Sequence, residues 1–198
     1  SKPPLQGEKP GGDPTLTESA ELAALLDAGV TTFVCLIGEY RSWQAYRDKA
    51  YPKKVSKIQR RRRLQDQSSK AEEKEAAGGG GGGGRGPRFL YFPVRDFDVP
   101  PADDLVELVL ELRRRVLAGE VLFVHCRGGH GRTGLAVVPL VAALFGLGAE
   151  DARGYVQESH DISPRGMRWG GHLPETQEQM DLVIEIIERV QKNSRRRR

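Results

Sequence analysis

The sequence predicts an α/β fold in which a central, mostly parallel sheet is flanked by helices. Two patterns and one length carry this expectation. Short apolar, β-branched runs at 30–37, 89–93 and 121–124 alternate with segments of helical period. Strands separated by helices form a largely parallel sheet. A chain of 198 residues is long enough to bury a sizeable core.

Residues 1–14, rich in Pro, Gly and Lys, read as an arm, and the domain is expected to span 15–192. Thr15-Leu16-Thr17-Glu18 has capping-box spacing. It opens a short helix with an apolar face of Leu22, Leu25 and Leu26, stopped at Gly29. Val30 to Ile37 is a buried strand ended by Gly38. Residues 53–86 differ in character: ten Lys or Arg, four Asp or Glu, and glycines at every position from 78 to 84. A glycine run has no side chains to bury and loses the most entropy on ordering, so 53–86 is expected to be a disordered surface insertion. A nucleic-acid or nuclear-import patch over Lys53 to Arg63 is the functional alternative.

Phe89 to Pro93 is the second strand. A helix over Ala102 to Leu117 follows, with Leu105, Leu108, Val109, Leu112 and Val116 at helical spacing. Val121 to Val124 is the third strand. Thr133 to Phe145 is an apolar helix that Pro139, lacking a backbone donor, is expected to kink beyond its first turn. Segments 149–160 and 174–192 supply two more helices, and 193–198 is a basic tail.

The net charge of +4 divides unevenly: the insertion carries +6, Arg195 to Arg198 carry +4, and the remainder carries −6. The folded part is therefore mildly acidic, and a nucleic-acid partner is not expected. Two cysteines, Cys35 and Cys126, exclude a disulfide framework and a four-cysteine zinc site. No apolar run reaches transmembrane length, and no signal-peptide pattern follows the N-terminus. The expectation is an intracellular monomer, cytoplasmic or nuclear, with reduced thiols.

The informative run is His125-Cys126-Arg127-Gly128-Gly129-His130-Gly131-Arg132-Thr133-Gly134. It follows a strand and opens a helix. Glycines let such a loop turn sharply and gather backbone N–H groups, and the helix N-terminus adds unpaired donors and a positive dipole end. The result is an anion cradle of phosphate size. Its dipole and cations favour the Cys126 thiolate, a nucleophile aimed at phosphorus. Arg132 can grip two phosphoryl oxygens as a fork, and Thr133 can donate to the sulfur. Gly129-x-Gly131-x-x-Gly134 also fits the dinucleotide fingerprint, but the strand and acidic residue that should follow are missing, and Cys126 and Arg132 would have no role.

This loop resembles the His-Cys-x5-Arg-Ser/Thr signature of the cysteine-dependent protein tyrosine and dual-specificity phosphatases, and the likeness extends over 15 to about 190 apart from the insertion. The resemblance implies a compact phosphatase fold, with Cys126 as nucleophile, Arg132 as phosphate ligand, and Arg127, Gly128, Gly129, His130 and Gly131 lining the phosphate site beside His125. It implies neither a cofactor nor a metal, since loop N–H groups and Arg132 meet the charge. It also implies a general acid on the Pro93 to Pro101 loop: Asp96 matches best and Asp98 is the fallback. A Gln that orients water is expected at Gln179 or Gln177. In some relatives a second cysteine forms a reversible disulfide with the nucleophile; Cys35 could do this, or could be a small buried apolar residue.

The short domain points to a shallow pocket and to phosphorylated protein substrates, phosphotyrosine or dual-specificity. Arg127 and His130, at the first and fourth variable positions, leave phosphoinositides as an alternative, with RNA 5′ phosphate a distant third. A non-catalytic phospho-binding module is the remaining class. His160 and His172 read as surface residues, and Trp43 and Trp169 as packing.

Overall fold

The structure is a computed structural model that describes residues 19–40, 42–73, 86–163, 167 and 170–195. The elements are α1 (Ser19–Asp27), β1 (Thr32–Ile37), a 3-10 turn (Gly38–Tyr40), α2 (Trp43–Lys49), α3 (Pro52–Glu73), β2 (Arg88–Val94), α4 (Ala102–Leu117), β3 (Leu122–His125), α5 (Gly131–Phe145), α6 (Ala149–Asp161) and α7 (Gln177–Arg195). The sheet runs β2-β1-β3, and both pairings are parallel. Thr32 to Cys35 align with Arg88 to Tyr91 on one side and with Leu122 to His125 on the other.

β1 is buried along its whole length, as a central strand covered on both faces should be. Its side chains alternate between two cores. Val34 and Leu36 join Leu90, Phe92, Leu122 and Val124 under α4, α5, α6 and α7. Phe33, Cys35 and Ile37 join Phe89, Tyr91 and Phe123 under α1, α2 and α3. Each large side chain so buried contributes roughly 1.5–3 kcal/mol of hydrophobic stabilisation before entropy is counted. Pro93 lies in β2, an edge strand, where a missing donor is tolerated. α5 runs unbroken through the buried Pro139.

The expectation of a disordered insertion from 53 is corrected at its start. Residues 53–64 belong to α3, which begins at Pro52 and lays Tyr51, Val55 and Ile58 into the α1 side of the core. Lys, Arg, Gln and Glu are good helix formers, and no Gly or Pro interrupts 53–75. The apolar stripe is thin, but Arg62 reinforces it by pairing with Asp27 at 2.9 Å and donating to the Ala23 carbonyl. The glycine run 78–84, the Thr15 capping box and Trp169 lie outside the described residues. α2, with the buried Tyr46, was not anticipated. Among the described residues, no single helix is long and apolar enough to cross a membrane.

Candidate active site

Parallel strands point their carboxyl ends the same way, and ligands of open α/β sheets bind there. Here those ends deliver Glu39 just after β1, Asp96 just after β2 and Cys126 just after β3. Cys126 is buried, at the start of the loop that leads into α5. Its Sγ accepts from the Gly129 N–H (3.2 Å) and from the Thr133 hydroxyl (3.2 Å). The Thr133 oxygen in turn accepts the Cys126 N–H at 3.1 Å. Donors converging on sulfur stabilise its ionised form over the thiol. Gly129 holds φ +84, the left-handed region open to glycine.

Arg132 lies on the first turn of α5 and is 2% exposed. Its Nη1 donates to Glu39 at 3.1 Å and to the Val94 carbonyl at 3.3 Å, and its Nη2 pairs with Asp96 at 2.8 Å. Its buried Nε has no hydrogen-bond partner in the structure. A buried donor left over on a guanidinium is costly unless something polar meets it. Asp96 thus stands beside Arg132, whereas the Asp98 carboxylate turns into its own loop and accepts from the Val99 N–H at 2.9 Å. Phe97 between them has φ +60 and is exposed.

Of the two candidate glutamines, Gln179 belongs to this site. It is fully buried; its Nε2 donates to the Asp98 carbonyl at 3.2 Å and its Oε1 accepts the Glu175 N–H at 3.2 Å. Gln177 is exposed and donates to Asp181. Glu175 accepts the N–H of Gly131, the first residue of α5, at 2.9 Å, so a carboxylate meets the positive end of that helix. A Cβ at Gly131 would sit 2.4 Å from that same carboxylate, and one at Gly134 would sit 3.1 Å from Pro174. These approaches explain two of the loop's glycines.

His125, buried at the end of β3, faces the α2 and α3 side. The Cys126 carbonyl only accepts, so His125 Nδ1–H donates to it (3.1 Å) and Nε2 accepts the Tyr51 hydroxyl (2.7 Å). Burial pushes the Tyr51 phenol well above its ordinary value, so it stays a donor. Arg127 is exposed on the loop. His130 meets His160 from α6, which is a correction to the reading of His160 as a mere surface residue.

Cys35 is fully buried in the α1–α3 core, while Cys126 packs in the core on the other face of the sheet. Neither is in a disulfide. The sequence reading missed Glu39, Tyr51, Glu175 and His160. Glu39 alone carried a signal, its place just past the carboxyl end of a predicted strand. A cleft of about 610 Å³ between α6 and α7 borders Glu175 but is not lined by Cys126 or Arg132.

Residues 82–170 match the family described as PTP-SAK, Swiss Army Knife protein, DSP-PTPase phosphatase domain. The chain is 32% identical over 100 residues to the uncharacterized protein MJECL20 of Methanocaldococcus jannaschii, a match spanning 50% of this chain and 60% of that protein. The fold is similar to that of Tk-PTP in its active form, with a TM-score of 0.56 and 22% identity over 88% of each chain. It is also similar to PTPMT1 solved in complex with PI(5)P, with a TM-score of 0.56 and 15% identity over 89% of this chain and 86% of that one.

Proposed function

The chain belongs to the dual-specificity phosphatase superfamily, and on that premise we propose that it removes phosphate from phosphorylated proteins, phosphotyrosine first, through a cysteinyl-phosphate intermediate. The observation that carries this reading is the convergence, at the carboxyl end of one sheet, of a sulfur with two donors and a buried guanidinium with an unmet N–H. A phosphoryl oxygen supplies what that Nε lacks.

Cys126 attacks phosphorus in line, forming the S–P bond as the P–O ester bond breaks. Asp96, protonated, gives its proton to the departing oxygen. Arg132 and the loop N–H groups take up the charge on the three equatorial oxygens. The incoming phosphate exchanges for Asp96 on the guanidinium and so frees that carboxyl for the leaving group. Water then attacks phosphorus, losing a proton to Asp96, and the S–P bond breaks. Gln179, tied to the Asp98 carbonyl, orients that water. Thr133 stabilises the departing sulfur through the hydrogen bond it already makes.

Arg127 and His130 on the loop favour one further substrate class, the phosphoinositides, and the likeness to PTPMT1 solved with PI(5)P is in keeping with it. The test compares a phosphotyrosine peptide, a phosphothreonine peptide and a soluble phosphoinositide, with Cys126→Ser as blank. The expected result is phosphate release from the tyrosine peptide and none from the variant, which still folds and binds phosphate. Preference for the lipid headgroup would replace the first substrate class. Peptide binding with release from none of the three would make the chain a phospho-binding module.

A further inference from the structure

His130, at the fourth variable position of the loop, is gripped from another element. Its Nδ1 lies 2.9 Å from Nε2 of His160, with the rings edge to face and their centroids 4.9 Å apart. His160 ends α6, and its Nδ1 faces Asp161 Oδ1 at 3.4 Å. Asp161 Oδ1 also accepts from Gln157 at 2.8 Å. Gln157 is itself fixed, donating to the Gly171 carbonyl and accepting the Leu173 N–H. The row Asp161–His160–His130 is therefore anchored on a helix and not on the loop alone.

A carboxylate only accepts, so His160 carries its proton at Nδ1 and presents a lone pair at Nε2. Nδ1–H of His130 must then donate, which leaves the acceptor lone pair of His130 at Nε2. That edge of the ring lies across Gly128: a Cβ there would stand 2.7 Å from Cδ2 and 3.3 Å from Nε2 of His130.

We propose that His160 and Asp161 are positioning residues that hold His130 in its Nδ1–H form, with the Nε2 edge laid over the loop as a substrate-binding group for a phosphoryl oxygen. The proposal rests on the phosphatase reading for its substrate, but not for the proton arrangement. Nε2 accepts the P–O–H of a monoanionic ester, or takes a proton from solvent and donates to a dianion. This is the logic by which a second hydrogen bond fixes the tautomer and direction of a working imidazole.

The test pairs nitrogen NMR of His130 with kinetics. In the wild-type protein at neutral pH, His130 is expected to carry its proton at Nδ1, and His160→Ala is expected to erase that preference. His160→Ala should raise KM for a phosphotyrosine peptide about tenfold, the scale of one hydrogen bond to a charged group, with kcat within about twofold. His160→Gln, whose side-chain carbonyl can accept Nδ1–H, should restore most of the loss. An Nε2–H tautomer in the wild-type protein overturns the proposal even if His160→Ala does not fold. An unchanged KM in folded His160→Ala overturns it as well. Should the wild-type protein turn over no ester, the phosphatase reading fails by itself. The dissociation constant of inorganic phosphate then replaces KM as the binding measure, with the same expected rise.

Discussion

At the scale of single residues, Gly38 is as demanding as any group in the reactive loop. A Cβ there would stand 2.6 Å from the Val94 carbonyl oxygen. That oxygen also accepts from Arg132, and Asp96 follows two residues on. Gly38→Ala must push the end of β2 away and carry both groups with it. We expect a stability loss of about 1–3 kcal/mol, the usual cost of overpacking, together with a fall in kcat. Urea unfolding and steady-state turnover measure the two. A variant as stable and as fast as the parent would show that β2 yields without consequence. The sequence marked Cys126, Arg132, Thr133 and Gln179 because their residue types sit at fixed offsets from one loop and one helix start. It could not mark Glu39 or Tyr51, whose partners lie 93 and 74 positions away.

At the scale of elements, one carboxylate ties together the strand ends opposite the site. Glu120, before β3, accepts from Thr32 of β1 at 2.5 Å, from Arg88 of β2 at 2.6 Å and from Arg115 of α4 at 3.1 Å. Partial burial pushes its carboxyl up, but the hydrogen bonds from Thr32 and Arg115 outweigh that and hold it below its ordinary 4.5. The folded state therefore binds this proton less readily than the unfolded chain. The stabilisation is complete above the ordinary value and is lost as pH falls through the lower, folded one. Glu120→Gln should be less stable than the parent at neutral pH, and the gap should close on acidification below about 4.5. Chemical denaturation at a series of pH values measures this; a gap independent of pH would assign the loss to packing. The strands and the helices α4 to α7 were legible because their periodicity is local. α3 was not, since its charged exterior outnumbers the few apolar positions that seat it.

At the scale of the whole molecule, two cores share one strand. Leu36 points into the α4–α7 side and Phe33 into the aromatic side, where Tyr46, Tyr51, Tyr91 and Phe89 pack. Leu36→Ala should cost about 2–5 kcal/mol. Both faces should melt together, since neither can keep β1 without the other. Near-UV circular dichroism follows the aromatic face and far-UV follows the helices; both midpoints should drop by the same amount. Separate transitions would mean that the faces unfold independently. By itself the sequence determined the order of most strands and helices and the chemistry of the loop at 125–134, because periodicity and motif spacing are written along the chain. Which carboxylate meets Arg132, which glutamine faces the loop, that Cys35 and Cys126 lie on opposite faces, and that α6 reaches back to His130 were decided only by the tertiary structure. Those pairings depend on which strand ends and helix ends packing brings together, and distance along the chain carries no record of that.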